Sequence, residues 1–164
     1  YVPKICRSAC GEIDLFYAFD MGNLATTEYV ESTFDVFTPM GFDYLIRLNG
    51  KRESLGGIAM LLAHGNHVND EHVYVDGKDW LRVKDWVEEM DGKYAALLLA
   101  VCNPGGKRIS SSRSALIAPT NEYSVLEMMY GEVEPYMFVP KYGFVDVDTA
   151  DSIIARMHKD MGIA

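Results

Sequence analysis

The two stretches that decide the fold are IAMLLAHG at residues 58–65 and AALLLAVC at residues 95–102. Each is a short apolar run followed by a residue able to act in catalysis, His64 in the first and Cys102 in the second. Apolar runs of this length predict strands that are buried on both faces of a sheet. Residues 79–90 between them space their apolar side chains as a helix does. The predicted order is therefore strand, helix, strand.

This order predicts how the two reactive residues lie relative to each other. Two strands joined by a crossover helix are most simply parallel neighbours, about 4.8 Å apart. The carboxyl ends of parallel strands emerge at one edge of the sheet, where the active sites of open α/β sheets lie. We therefore expect the backbone alone to bring His64 and Cys102 within reach of each other.

Length and composition are those of one globular domain over residues 1–164. Hydrophobic residues make up 49% of the chain and charged residues 24%, which is enough apolar material for a single core. No apolar run approaches the roughly 18 to 20 residues that a membrane-spanning helix needs. The net charge of -9 repels a phosphate backbone. We therefore expect neither a membrane nor a nucleic acid as partner, and the sequence leaves the oligomeric state open.

The three cysteines favour a reducing compartment. An odd number of cysteines excludes a fully paired intramolecular set of disulfides, so we expect a cytoplasmic protein. Cys6 and Cys10 are close enough in sequence to form one bridge, but they fit an N-terminal strand equally well as free thiols. Both alternatives remain open at this point.

The rest of the chain continues the α/β pattern. Strands are expected at residues 12–20, 43–48 and 114–119, a further strand or hairpin within 132–147, and helices from Thr26 or Thr27 and over 149–161. An Asp76-Gly77 turn predicts a small hairpin within residues 66–80. We expect a three-layer α/β/α sandwich around a mostly parallel central sheet.

The helix predicted at residues 79–90 should pack against the sheet through one face. Its apolar side chains recur at helical spacing, so we expect one buried stripe, formed by Trp80, Val83, Val87 and Met90. This interpretation treats the first tryptophan as core and not as part of a binding surface.

Cys102 has the surroundings expected of a nucleophile. A cysteine is activated when a neighbouring imidazole or aligned backbone amides stabilise its thiolate. Cys102 follows a strand and precedes the turn NPGG at residues 103–106, whose amides can form an oxyanion hole. Gly65 lacks a Cβ, so its backbone can approach a bound carbonyl closely. The alternative, a buried cysteine and a histidine that ends a strand, requires the same accident at two matched positions.

The order of these features resembles the caspase-like cysteine peptidases, the group that includes caspases, metacaspases, legumain, gingipain and clostripain. Its pattern is a hydrophobic strand ending in His-Gly, a hairpin with an Asp-Gly turn, a helix, and a hydrophobic strand ending in cysteine. In this chain the pattern is carried by residues 58–65, 73–77, 79–90 and 95–102, and the strand and helix within residues 12–48 fit the same fold.

The resemblance implies a peptidase that hydrolyses amide bonds of a peptide or protein substrate through a thioester intermediate and needs no cofactor. It implies His64 as general base or acid, Cys102 as nucleophile, and the amides of Gly65 and Cys102 as oxyanion donors. Val101 stands where many members have alanine, and the residues after the cysteine differ from those of caspases. A catalytically silent module of the same fold, acting in interaction or regulation, is therefore the second hypothesis.

The resemblance also implies that the segment after the cysteine helps to build the pocket for the residue on the acyl side of the cleaved bond. Residues 103–121 contain Lys107, Arg108 and Arg113 and no acidic residue. We therefore assign Arg108, Ser111 and Arg113 to substrate binding and expect a preference for an acidic side chain. The serines of this segment equally suit a solvated loop. An acidic residue that enters the pocket from elsewhere would reverse the preference, and the candidates are Asp20 and Glu122.

A rival hypothesis places a metal in the hairpin. Five potential ligands lie within nine residues, namely His64, His67, Asp70, Glu71 and His72, with Cys102 as a further candidate. Their spacing matches no strong metal signature, so we assign no metal ligand.

Overall fold

A seven-stranded sheet lies at the centre of the computed structural model, which describes residues 4–8, 11–105, 108–119, 127, 132 and 134–163. Numbered in chain order, its strands lie side by side as β1 (Lys4–Ser8), β2 (Gly11–Tyr17), β3 (Ile58–Leu62), β7 (Ala96–Ala100), β8 (Ala115–Ala118), β9 (Tyr136–Val139) and β10 (Gly143–Val145). In this sheet β2, β3, β7 and β8 run parallel to one another. β1 pairs antiparallel with β2, and β9 pairs antiparallel with β8 and with β10. A second, antiparallel sheet consists of β4 (His64–Val68), β5 (Glu71–Asp76) and β6 (Asp79–Arg82).

α-Helices lie between β2 and β3 and just before β7, and another follows β10. The α-helices of the described residues are α1 (Thr27–Thr33), α2 (Phe42–Glu53), α3 (Val83–Met90) and α4 (Ala150–Asp160). Thr26 caps α1 as predicted, because its hydroxyl oxygen accepts a 3.3 Å hydrogen bond from the Tyr29 amide. In the part of the chain that the structure describes, no helix is long and apolar enough to cross a membrane. The predicted α/β class is confirmed.

The two apolar runs form neighbouring parallel strands at the middle of the sheet, as predicted. β3 pairs with β7, and every residue of both strands is buried. Successive side chains of a strand point to opposite faces, so complete burial means that both faces of the sheet are covered here. On one face, Trp86 of α3 meets Phe16 of β2 edge to face, with 5.8 Å between the ring centroids.

Residues 43–48 belong to α2, so the strand predicted for them is wrong. The alternation in DYLIRL is short, whereas the helical spacing of buried side chains runs from Phe42 through Ile46 to Asn49. The polar Asn49 lies on the buried face, so the apolar spacing alone does not reveal the last turn of the helix. Helical packing over twelve residues therefore outweighs a brief strand-like pattern.

The tryptophan in the core is Trp86 and not Trp80, so the predicted stripe is wrong at its first position. α3 begins at Val83, and Trp80 lies on β6 with 54% of its surface exposed, whereas Trp86 is 4% exposed. The last three positions of the stripe are buried as predicted. The predicted Asp-Gly turn is present, with Gly77 at a φ of 63°. It connects β5 to its antiparallel neighbour β6, the strand just before the helix.

The other predicted elements are present with shifted ends, as β2, β8, the hairpin of β9 and β10, and α4. β1 was not predicted; it pairs with β2 and buries Cys6. Cys6 is a free thiol, which contradicts the alternative of a bridge to Cys10, a residue outside the described ones.

The two tryptophans should differ sharply in their contribution to stability. We expect Trp86→Ala to lower the free energy of unfolding by about 3–5 kcal/mol, because it empties a buried aromatic site. Trp80→Ala is the matched control and should change the same quantity by only about 0.5 kcal/mol, since an exposed ring leaves no cavity. Urea unfolding followed by circular dichroism measures both, and equal losses would contradict the assignment of the core.

Candidate active site

The register of the central sheet places His64 and Cys102 side by side. β3 and β7 pair with Leu62 beside Ala100, and the two reactive residues each come two positions later. The pairing continues past the strands, since the Ala63 amide donates a 3.3 Å hydrogen bond to the Ala100 carbonyl. Both residues therefore leave the sheet at the carboxyl edge of one parallel pair, as expected from the sequence.

Gly65 packs directly against the backbone of Cys102. A Cβ added at Gly65 would overlap the Cys102 carbonyl oxygen and lie 2.8 Å from the Cys102 amide nitrogen. The need for glycine here is steric, because the two chain segments touch. This contact holds the His-Gly segment against the cysteine.

The two candidate reactive residues are accessible. His64 is exposed and Cys102 is half-buried, whereas Cys6, the other described cysteine, lies in the core. Only a thiol that reagents and substrates can reach acts as a nucleophile. Of the thiols that the structure describes, Cys102 is the one suited to that role.

A second histidine, His72 of β5, holds the turn that follows Cys102. Its Nδ1 lies 2.7 Å from the Asn103 carbonyl oxygen, and because a carbonyl only accepts, Nδ1 donates. Asn103 has a φ of 51°, in the left-handed region that residues other than glycine seldom adopt. A Cβ at Gly105 would lie 3.5 Å from His72 Cδ2, so this part of the turn packs against the imidazole ring. Sequence reasoning considered His72 only as a metal ligand, and no sequence signal marks this contact.

The surroundings of His72 favour its neutral form. Burial lowers its pKa below the ordinary value, the hydrogen bond to the Asn103 carbonyl opposes this, and the charges of His67 and Arg108 lower it further. Its Nε2 is buried and makes no hydrogen bond within the described part of the molecule. A proton on Nε2 would therefore be a buried charge without a partner.

A cavity of about 440 Å³ lies beside this turn, between β5, α3, Pro104 and residues 108–110. His72 and Arg108 contribute to its walls. Arg82 on another wall is paired with Asp85 at 2.9 Å, whereas Arg108 forms no ion pair with a carboxylate of the described residues. The structure thus brings one of the three residues assigned to substrate binding next to the turn after Cys102.

Ser111 and Arg113, also assigned to substrate binding, lie at the opposite edge of the sheet. Asn49 of α2 donates hydrogen bonds to the carbonyls of Ala95 and Arg113, at 2.8 and 3.1 Å, and Ala95 directly precedes β7. Cys102 follows the other end of that strand, roughly 20 Å away at about 3.3 Å per residue. The structure does not bring these two residues to the candidate dyad.

Hydrogen bonds, and not contact with a substrate pocket, account for the position of the serine-rich loop at residues 110–114. The Asp91 carboxylate, just after α3, accepts bonds from the three successive amides of residues 112–114. Arg113 pairs with Glu53 at 3.3 Å, and Ser111 donates to a carbonyl of the same loop. These residues anchor the connection from β7 to β8, away from the candidate dyad. Lys107 and Glu122 lie outside the described residues.

The hairpin histidines do not gather a metal-binding set. Among the residues with described positions, no group of three or more His, Cys, Asp or Glu side chains is placed to hold an ion. His67 and His72 stack face to face, with 4.3 Å between centroids and 6° between planes. Stacked rings do not direct their nitrogens toward a shared point.

Comparisons of the chain with protein-family models, with curated proteins and with solved structures found no significant match.

The contact between Gly65 and Cys102 can be tested with one methyl group. We expect Gly65→Ala to slow alkylation of Cys102 and to lower the free energy of unfolding by about 1–3 kcal/mol, because the new Cβ forces the two segments apart. Gly56→Ala is the control, since a Cβ there meets nothing within 4 Å. Iodoacetamide labelling with peptide mapping and urea unfolding give the two readouts. Indistinguishable variants would show that the segments do not touch.

The depressed pKa of His72 predicts how stability depends on pH. Above about pH 7 histidine is neutral in both states, and as the pH falls the unfolded chain takes up the proton more readily than the folded chain does. Stability should therefore decrease through this range. His72→Asn keeps a donor near Nδ1 and removes the titration, so its loss of stability between about pH 7.5 and pH 5 should be smaller. Parallel profiles in urea unfolding would contradict this.

Proposed function

We propose that the chain is a cysteine-dependent peptidase in which Cys102 and His64 form the catalytic dyad. The observation that carries the proposal is the close packing of Gly65 on the Cys102 backbone at the carboxyl edge of β3 and β7. Active sites of α/β sheets lie at this edge. A nucleophile that follows β7 and a base at the start of β4 would act together there, which is the arrangement that covalent catalysis requires.

In the proposed reaction, His64 accepts the Cys102 thiol proton as the sulfur attacks the carbonyl carbon of the substrate amide. The amides of Gly65 and Cys102 stabilise the negative oxygen of the tetrahedral intermediate. The C–N bond then breaks, the departing amine takes the proton from His64, and a thioester remains on Cys102. Water, deprotonated by His64, hydrolyses the thioester and releases the carboxylic acid. The thiol is then regenerated.

The proposal includes a caspase-like, three-layer α/β/α fold. The described elements follow the order of that group, with β3, the His-Gly pair, the sheet of β4 to β6, α3, and β7 before the cysteine. Burial of both faces of β3 and β7 supports a layer on each side of the sheet. The free thiol of Cys6 fits a reducing, cytoplasmic compartment.

The proposed substrate is a peptide or protein segment with an acidic residue on the acyl side of the cleaved bond. Arg108 supports this preference, because it lines the cavity beside the turn that follows Cys102. A guanidinium binds a carboxylate through two parallel hydrogen bonds. The same cavity is also lined by Asp70, Glu71 and Glu88, so the preference is proposed for a side chain that reaches Arg108 itself.

Fluorogenic peptides with Asp, Leu or Lys before the reporter amine test the activity. We expect release from the Asp peptide, abolished by Cys102→Ser and reduced about 10²-fold or more by His64→Ala, the loss typical of a missing general base. Cys6→Ala is the matched control and should retain activity. Cleavage that survives in Cys102→Ser would contradict the dyad.

Thiol labelling separates the peptidase from a silent module of the same fold. The proposal expects iodoacetamide to modify Cys102 faster in the intact chain than in His64→Ala, because in the proposed dyad His64 accepts the thiol proton as the sulfur attacks. No cleavage of any peptide, together with equal labelling rates in both proteins, would favour the silent module.

A further inference from the structure

One face of the three-stranded sheet is turned toward Cys102 and the turn after it. Gly65 lies opposite Tyr74, and His72 is two positions from Tyr74 on the same strand, so all three project from one face. Gly65 packs on the Cys102 backbone, and His72 reaches the Asn103 carbonyl. This face therefore contacts two successive residues of the segment that carries the candidate nucleophile.

The peptide bond between Asn103 and Pro104 has a single hydrogen-bonding group. Proline lacks an amide hydrogen, so the Asn103 carbonyl oxygen is the only group through which a hydrogen bond can orient this peptide plane. Nδ1 of His72 donates to that oxygen at 2.7 Å. One imidazole therefore fixes the orientation of the peptide plane next to Cys102.

The backbone of Asn103 has a conformation that requires support. Its φ of 51° lies in the region that residues other than glycine seldom adopt, and a following proline restricts the preceding residue further, toward extended conformations. Such a conformation persists only where the surrounding structure holds it. Without the hydrogen bond from His72, Asn103 is expected to relax and to displace Cys102, its neighbour in the chain.

The imidazole of His72 is itself held in place. His67 stacks on one side of it, with 4.3 Å between the ring centroids, and a Cβ at Gly105 would lie 3.5 Å from its Cδ2. Gly105 belongs to the same turn, and its carbonyl accepts a 3.0 Å hydrogen bond from the Arg108 amide. A donor fixed in this way can determine the position of the flexible segment that it contacts.

We propose that His72 is a positioning residue of the peptidase, which fixes the backbone around Cys102 through the Asn103 carbonyl. The inference rests on the proposed function, because it takes Cys102 as the nucleophile. In this role His72 touches no reacting atom. Its effect should be largest when the substrate carbonyl oxygen becomes negative, because stabilisation of an oxyanion depends closely on the position of its donors.

Two variants separate the hydrogen-bond donor of His72 from its ring. His72→Phe keeps a planar ring in contact with His67 and Gly105 but removes the donor. His72→Asn loses the ring and keeps a donor near the position of Nδ1. His67→Phe is the matched control, because it changes the stacked ring on the same face and leaves the hydrogen bond to Asn103 intact. Circular dichroism confirms that each variant is folded.

Hydrolysis of the fluorogenic Asp peptide is the first measurement. We expect His72→Phe to lower kcat about 10²-fold, the loss that a small displacement of catalytic groups typically causes. KM should stay within about a factor of two, since the contact acts on the transition state and not on substrate binding. His72→Asn should recover most of kcat, and His67→Phe should retain it.

A peptide aldehyde with Asp before the carbonyl is the second probe. The Cys102 sulfur adds to the aldehyde carbon and the carbonyl electron pair moves to the oxygen, so the adduct carries an oxyanion and has no leaving group. His72→Phe should weaken its binding by about the factor lost in kcat, as expected for an analogue of the tetrahedral intermediate. Alkylation by iodoacetamide displaces iodide from a saturated carbon and forms no oxyanion, so its rate at Cys102 should be unchanged.

The outcomes distinguish the positioning role from a merely structural one. Unchanged kcat in His72→Phe, or alkylation slowed as much as cleavage, would overturn the positioning role and leave the dyad standing. Failure of His72→Asn to recover activity would do the same, because it would assign the effect to the ring and not to the donor. Absence of both cleavage and aldehyde binding in the intact chain would contradict the dyad, and the positioning role with it.

Discussion

The parallel pairing of β3 with β7 is the constraint on which the rest of the structure depends. Both strands are buried on both faces and contain no polar side chain, so chemistry can begin only where they end. The first polar side chains past their carboxyl ends are His64 and Cys102, at matched positions of the register. A slip of one residue would move one partner to the other face of the sheet. The hydrophobic core therefore sets the geometry of the candidate dyad.

The two edges of the sheet differ in how their polar groups are used. At the amino edge, Asp91 binds the serine-rich loop and Tyr94 donates a 2.6 Å hydrogen bond to Asp14. Burial and this carboxylate raise the pKa of Tyr94 above its usual value, so the pair stays intact at neutral pH. The carboxyl edge instead presents an exposed imidazole, a half-buried thiol and a cavity. This contrast is the reason that we propose the active site at the carboxyl edge, whereas the described contacts at the amino edge anchor loops.

The sequence predicts the parts of this fold that depend on local patterns and fails where distant contacts decide. The central strands and the Asp-Gly turn are predicted correctly, because a short apolar run bounded by polar or glycine-containing turns, and an Asp-Gly pair between two strands, are local signals. The sequence does not predict α2, because the polar Asn49 on its buried face hydrogen-bonds to the carbonyl of Ala95, which is distant in the chain. It places Trp80 in the core because the apolar spacing fits a helix that begins at Trp80 as well as one that begins at Val83. Serine occurs both in substrate pockets and in turns, so the residue type of Ser111 does not tell which of the two it forms. The contact of His72 with Asn103 needs the hairpin register, which no local signal fixes.

His64 is the residue that the two registers share. As the continuation of β3 it follows the strand that pairs with β7, and as the first residue of β4 it lies opposite Val75 of β5. Rigid pairing on both sides leaves the imidazole little freedom to move relative to either neighbour. Binding and chemistry would be coupled through backbone hydrogen bonds, because Gly65 and His72 tie the same hairpin to the turn that carries Cys102.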